Sequence, residues 1–99
     1  MNKFLRQAQQ LQAQMAKVQE ELGNLTLEAS AGGGAVKVTV DGQQNIKEIK
    51  ISPEVLSPDD VELVEDMVLT AVNDALNKSR EAAQEQLGGL TGGLKIPGL

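Results

Sequence analysis

The sequence predicts a small α+β protein with the element order α-β-β-β-α, in which an N-terminal helix, a three-stranded antiparallel sheet and a long C-terminal helix follow one another. Apolar residues recur at helical spacing from Phe4 to Leu22, and a second helical pattern begins at Ser57. Between them, across residues 25–51, apolar and polar residues alternate as they do in half-buried strands. Short glycine-containing turns separate the strands, so the simplest sheet is an antiparallel meander.

The first helix carries an apolar stripe that is sustained for nearly three heptads. Its members alternate at spacings of four and three residues: Phe4, Ala8, Leu11, Met15, Val18 and Leu22. Gly23 and Asn24 end the helix. The stripe fits an ordinary amphipathic helix and a coiled-coil helix equally well. Both interpretations need an opposing helix, and within the chain only the C-terminal helix can provide it.

The three strands are recognised by their alternation. Leu25, Leu27, Ala29 and Ala31 define the first, Val36, Val38 and Val40 the second, and Ile49 and Ile51 the third. Ile46 lies three residues before Ile49, so both can face the core only if Lys47 and Glu48 form a β-bulge. Without a bulge, Ile46 lies at the end of the hairpin. Pro53 closes the third strand, and Val55 and Leu56 are predicted to form a short turn that covers the sheet.

Three consecutive glycines, Gly32 to Gly34, join the first two strands. A phosphate-binding glycine loop needs a helix N-terminus directly after it, and here a strand follows. The sequence therefore predicts a hairpin turn at this position and not a nucleotide site.

The long helix is predicted to run from Ser57 to Leu87. Ser57 is a good N-cap, Pro58 suits the first helical position, and the acidic residues that follow favour the free N–H groups of the first turn. Its apolar face contains Val61, Val64, Val68, Ala71, Ala75 and Ala82, and is widened by Leu63, Met67, Val72 and Leu76. Gly88 and Gly89 are predicted to stop it. At about 1.5 Å per residue this helix is roughly 45 Å long, so part of it projects or a second chain covers it.

We interpret residues 1–87 as a single domain and residues 88–99 as a flexible glycine-rich tail. A chain of 99 residues buries its core incompletely, which favours a homodimer. No long apolar segment is present, so the sequence predicts a cytosolic protein without a membrane partner.

Composition excludes several classes of function. The chain has no Cys and no His, which removes disulfides, thiolate nucleophiles, imidazole bases and ordinary zinc sites. Phe4 is the only aromatic residue, which disfavours single-strand binding by base stacking. The net charge of −5 excludes a diffuse basic surface, so any nucleic-acid site must be a local cluster of Lys and Arg. We expect no cofactor, no metal and no small-molecule substrate.

Five segments carry a more specific signal: Val38 to Gly42 (VTVDG), Ile46 to Pro53 (IKEIKISP), Leu63 to Val68 (LVEDMV), Ala71 to Ala75 (AVNDA) and, in the first helix, Gln14 to Leu22. Together they resemble the YbaB/EbfC family of bacterial nucleoid-associated proteins. The resemblance covers residues 1–87. It implies a tweezer-like homodimer, in which two sheets form a shared base and the helices project as prongs. It further implies binding to double-stranded DNA, organisation or compaction of the nucleoid, and no catalytic residues.

The acidic net charge requires a local basic site, because proteins bind duplex DNA largely by neutralising phosphates. If the two helices pack antiparallel, Lys3 and Arg6 at the start of the first come close to Lys78 and Arg80 near the end of the second. We therefore predict that these four residues form a DNA-binding helix tip. Alternatively, Lys78 and Arg80 only complement the helix dipole, and Lys3 and Arg6 are solvated surface residues.

Two other functions compete with DNA binding. The long apolar helix faces would suit a helix-mediated protein-interaction module without direct DNA binding. An enzyme could use the acidic cluster of Asp59, Asp60, Glu62, Glu65 and Asp66. We disfavour an enzyme, since acids at a helix start already have a structural role and no other catalytic group accompanies them.

Overall fold

The computed structural model of the chain describes residues 2–91, which measure 68 × 27 × 15 Å. The elements are α1 (Asn2–Asn24), β1 (Leu27–Ala31), β2 (Val36–Val40), β3 (Ile46–Ile51) and α2 (Val61–Thr91), with 3-10 turns at Pro53–Val55 and Pro58–Asp60 before α2. The predicted α-β-β-β-α order is confirmed.

The sheet is an antiparallel meander with strand order β1-β2-β3. Gly32, Gly33 and Gly34 form the first turn with φ angles of 65°, 67° and 95°, a left-handed conformation that side chains disfavour. The β2–β3 register shifts between Thr39 and Val40, which places Ile46 opposite Val40. The bulge that the sequence required for Ile46 to face the core is therefore present.

The core lies between α2 and the first two strands. Val36, Val38 and Val40 of β2 are fully buried, and so are Ala71 and Ala75 of α2. Small alanines let the helix approach the sheet closely, while valines fill the pleated surface. The predicted alternation of β1 and β2 and the predicted apolar face of α2 account for this contact.

The third strand lies beside this core but is poorly covered. Ile49 pairs with Val38, and residues that face each other across two antiparallel strands point to the same side of the sheet. Val38 is fully buried, whereas Ile49 is 44% exposed and Ile46 is 37% exposed. Since α2 packs on β1 and β2, the apolar side of β3 is left open.

The start of α2 agrees with the prediction, and its end does not. The Ser57 hydroxyl accepts a hydrogen bond from the Asp59 N–H at 3.3 Å, as an N-cap should, and a 3-10 turn precedes Val61. The predicted stop at Gly88 and Gly89 is wrong, because α2 continues to Thr91. Glycine ends a helix when it adopts a left-handed φ, and neither residue does so here. The part of the predicted tail from residue 92 onward lies outside the described residues.

The turn before α2 covers the sheet with only one of the two residues that the sequence suggested. Val55 is partly buried against the core, whereas Leu56 is 59% exposed. A 3-10 turn at Pro53–Val55 directs Val55 toward the sheet. Leu56 instead lines an apolar cleft of about 300 Å³ together with Val61 and Val64.

Helix α1 is anchored only near its C-terminal end. Val18 and Leu22 are its buried residues, whereas Phe4 is 78% exposed and Met15 is 44% exposed. The predicted apolar stripe is thus covered at Val18 and Leu22 and open from Phe4 to Met15. The Gly42 N–H donates to the Leu22 carbonyl at 2.7 Å and fastens this end to the β2–β3 loop.

Asp41 holds the β2–β3 loop in shape, and only 2% of it is exposed. Its Oδ1 accepts hydrogen bonds from the N–H groups of Gln43 and Asn45 at 2.7 and 3.0 Å. Its Oδ2 accepts from the Asn45 side chain at 3.1 Å and lies 3.5 Å from Lys47 Nζ. Burial raises the pKa of Asp41, but these hydrogen bonds and the Lys47 charge outweigh burial, so the pKa lies below its ordinary value of 3.8.

Acid should therefore weaken the fold through Asp41. A carboxylate whose pKa is lower in the folded chain than in the unfolded chain stabilises the fold. This stabilisation is complete above the pKa of the unfolded state and is lost as the pH falls through the pKa of the folded state. We expect Asp41→Asn to lower the free energy of unfolding at neutral pH by about 1–3 kcal/mol and to reduce its loss on acidification. Urea unfolding at about pH 7 and pH 3 measures both effects. A variant that loses as much stability in acid as the wild type contradicts this role.

Candidate nucleic-acid interface

The predicted DNA-binding residues lie on both helices. Lys3 and Arg6 occupy the first two turns of α1, and Lys78 and Arg80 lie in the second half of α2. All four side chains are exposed.

The structure does not bring these four residues together. The β2–β3 loop contacts both helices: Gln43 Nε2 donates to the carbonyl of Gln19, and the Gln44 N–H donates to Ser79 Oγ at 2.8 Å. Gln19 and Ser79 therefore lie at the same end of the sheet. Arg6 is roughly 20 Å from Gln19 along α1, at about 1.5 Å per residue.

The predicted single tip is thus replaced by two basic pairs along the helices. The prediction assumed that both helices overlap from end to end. The sheet instead packs against α2 as far as Ser79. Lys78 and Arg80 therefore lie beside the anchored end of α1 and not beside its start. We call Lys3 and Arg6 the distal pair, and Lys78 and Arg80 the proximal pair.

The proximal pair is engaged by neutral acceptors. Lys78 Nζ donates to the Glu28 carbonyl of β1 at 2.7 Å, and the Arg80 guanidinium donates to Asn77 Oδ1. Neither contact neutralises the positive charge. Lys78 also lines an open cleft with Asp74 and Glu81, so acids adjoin this pair.

The lysines of β3 are ion-paired instead. Lys47 lies 3.5 Å from the Asp41 carboxylate and Lys50 lies 3.6 Å from that of Glu48. The Asp41 pair is half-buried and the Glu48 pair is exposed. These lysines already compensate an acid of the β2–β3 loop and an acid of β3.

Helix α1 differs from the rest of the chain in charge. Residues 2–19 contain Lys3, Arg6 and Lys17 and no acid. Because the whole chain carries −5 and this segment carries +3, the remaining residues carry −8. In the part of the chain that the structure describes, none of these three side chains forms an ion pair. The sequence reasoning missed Lys17, although the absence of acids before Glu20 is visible in the sequence.

The acidic cluster at the start of α2 offers no site for a metal. Asp59, Glu62, Glu65 and Asp66 are exposed and point into solvent around the first turns of the helix. Within residues 2–91, no three metal-ligating side chains come together. Over the same range, no helix combines the length and the hydropathy needed to cross a membrane.

Comparison with known proteins identifies the relatives of this chain. It is 52% identical over 99 residues to a nucleoid-associated protein of Pelotomaculum thermopropionicum, an alignment that covers 100% of this chain and 94% of the relative. It is 57% identical to a nucleoid-associated protein of Desulforamulus reducens with the same coverage. The fold matches the crystal structure of an uncharacterized protein of Helicobacter pylori with a TM-score of 0.74 at 18% identity, covering 95% of each chain.

The family assignment agrees with these relatives. The family model of the YbaB/EbfC DNA-binding family matches residues 1–94, which include both helices and the whole sheet. The relatives named nucleoid-associated proteins span the chain from end to end. The chain belongs to the YbaB/EbfC DNA-binding family.

Proposed function

We propose that this chain acts as a homodimer that binds double-stranded DNA with low sequence selectivity and organises or compacts the chromosome within the nucleoid. The membership in a DNA-binding family and the names of the relatives support this role. The observation that carries it is the cationic segment 2–19 of α1, which carries +3 on exposed side chains in a chain of −5. The function needs no catalytic residue, no cofactor and no small-molecule substrate.

A homodimer is supported by the open side of β3. Ile46 and Ile49 share the core side of the sheet but are 37% and 44% exposed, and a second copy would cover them. The other edge strand, β1, is already contacted by Lys78 through the Glu28 carbonyl. Pairing through β3 would join two sheets into one base and leave two pairs of helices as prongs, the tweezer-like arrangement that the resemblance implies.

Contacts to DNA would come mainly from the prongs. Lys3 and Arg6 are exposed and unpaired by acids, so they can neutralise phosphates. Lys78 and Arg80 would add contacts nearer the sheet, weakened by Asp74 and Glu81. Phe4 is the only aromatic residue of the chain, and residues 2–91 contain no pair of short helices of the helix-turn-helix type, which favours phosphate contacts over sequence recognition.

Charge reversal of the distal pair tests the proposal. Lys3→Glu with Arg6→Glu should weaken binding to a labelled random duplex more than tenfold at low salt, because each chain loses two phosphate contacts. The wild type should show a log-log salt slope of roughly −4 to −5, and unrelated duplexes should compete equally. Fluorescence anisotropy over a salt series measures all three quantities.

The matched control is Lys37→Glu with Lys50→Glu, which changes the charge equally at two residues paired across β2 and β3. This control should keep most of the affinity. If it abolishes binding and the distal pair does not, the sheet is the DNA-binding surface. If one duplex sequence competes a hundredfold better than others, low selectivity is wrong.

The rival role, a protein-interaction module, is favoured by the open apolar stripe of α1, where Phe4 is 78% exposed and Leu11 is 38% exposed. Such a module would bind helices of other proteins without DNA. Absence of binding to any duplex at low salt, together with a correctly folded dimer, would favour this role.

A further inference from the structure

We infer that Lys17 is a further DNA-contacting residue and that the duplex lies along the side of α1, from Lys3 to Lys17, and not only across its tip. This inference rests on the proposed function and names an additional part of the same surface. The duplex would then contact each α1 helix over about 21 Å of its length, at about 1.5 Å per residue, and not at a single point at the end of the prong.

The three cations of α1 share one face of the helix. At about 100° per residue, Lys3, Arg6 and Lys17 fall within about 60° of one another. Gln10 lies between them on the same face and adds an uncharged donor. All four side chains are exposed. We call this surface the basic face of α1.

Along α1 itself, the basic face has no acidic neighbour over most of its length. Glu20 is the nearest acid along α1, about 21 Å from Arg6, or more than two Debye lengths at physiological salt. Lys17 has Glu20 and Glu21 within the next turn, yet forms no ion pair with either in the described structure. Its charge is therefore available to a phosphate, although these neighbours weaken it relative to Arg6.

The rest of the basic charge on the described chain is less available. Lys47 and Lys50 are paired with carboxylates, and Lys78 and Arg80 donate to neutral oxygens of the chain. Lys37 is exposed and lies opposite Lys50 on the polar side of the sheet, so among the described residues it adds one cation without an ion pair there. Only on α1, within the described residues, do several unpaired cations line up along one direction, which is what a phosphate backbone requires.

The basic face also remains open if α1 acquires a partner helix. It is centred roughly 120° around the helix from the apolar stripe of Phe4, Leu11, Val18 and Leu22, at about 100° per residue. A partner that covers the apolar stripe therefore leaves the cations exposed. A partner helix on the apolar stripe and DNA on the basic face would contact different sides of α1.

The test compares Lys17→Gln with Lys37→Gln in the full chain. Both remove one charge per subunit from an exposed lysine, and glutamine is already common on α1, so helix content by circular dichroism should not change. With a labelled random duplex of about 30 base pairs, Lys17→Gln should weaken binding about three- to tenfold. It should also reduce the magnitude of the log-log salt slope by about 2 for the dimer, from about 0.9 per phosphate contact.

The outcomes separate the inference from the proposal on which it rests. If Lys17→Gln and Lys37→Gln bind with the same affinity and slope while the wild type binds DNA, the duplex does not reach Lys17 and the inference fails alone. If the wild type binds no duplex at low salt, the proposed function fails, and the inference fails with it. A Lys17→Arg variant should restore the wild-type slope, because it restores the charge.

Discussion

Replacing Gly42 by alanine should detach α1 from the sheet and lower the free energy of unfolding by about 2–4 kcal/mol. A Cβ atom at this position would lie 2.7 Å from the Leu22 carbonyl oxygen and 2.9 Å from Leu22 Cδ2. Overpacking of this kind costs about 1–3 kcal/mol, and moving apart would break the hydrogen bond from the Gly42 N–H to Leu22, worth about 1 kcal/mol more. Leu22 and Val18 are the buried residues of α1, so the helix would lose its anchor.

The control for this prediction is Gly33→Ala. Gly33 has a φ of 67°, and a Cβ atom added there would meet no other atom within 4 Å, so alanine introduces backbone strain without a clash. That strain costs about 1–2 kcal/mol. The midpoint of thermal unfolding should therefore fall less than for Gly42→Ala, and only Gly42→Ala should expose α1 to hydrogen exchange. If Gly42→Ala costs no more stability than Gly33→Ala and leaves the exchange of α1 unchanged, the contact with Leu22 is unimportant.

The elements of this fold were predictable because their signals are local. The N-cap at Ser57, the heptad spacing that leads to Leu22 and the alternation through Val38 each depend on neighbouring residues. Spacing also offered the bulge beside Ile46 as one of two alternatives, and the register shift decides between them. The end of α2 was harder to predict, since Gly88 stops a helix only if its backbone turns left-handed.

The arrangement of the candidate site depended on distances that a sequence does not contain. Lys78 would lie near Arg6 only if α2 left the sheet well before Ser79. The length of α2 that packs on the sheet is determined by tertiary packing. The hydrogen bond from Gln44 to Ser79 joins residues far apart in the chain and has no local signal. Lys17 could have been found by placing the Lys and Arg residues of α1 around a helix at about 100° per residue, because this requires only the sequence.

Introducing a charge at Ile49 should abolish the proposed homodimer. Ile49 lies on the core side of β3 and is 44% exposed, although its cross-strand partner Val38 is fully buried. If a second copy covers it, burial of that exposed 44% contributes about 0.7–1.3 kcal/mol in each chain, from about 1.5–3 kcal/mol for a whole isoleucine side chain. Ile49→Glu would lose this contribution twice and place two carboxylates at the interface, each costing about 1–3 kcal/mol or more when buried without a partner. Together these effects should weaken association at least a hundredfold, at about 1.4 kcal/mol per factor of ten. Light scattering should change from twice the chain mass of 10.5 kDa to that mass.

Lys50→Glu is the matched control, since it puts the same side chain on the polar face of the same strand and breaks only an exposed ion pair. It should remain dimeric. Ile49→Glu alone could also unfold the chain, so the wild type provides an independent measurement: its unfolding midpoint should rise with protein concentration, as it does for any dimer whose dissociation is coupled to unfolding. A wild type that scatters as a folded 10.5 kDa chain at micromolar concentration, with a midpoint independent of concentration, would show that β3 needs no second copy.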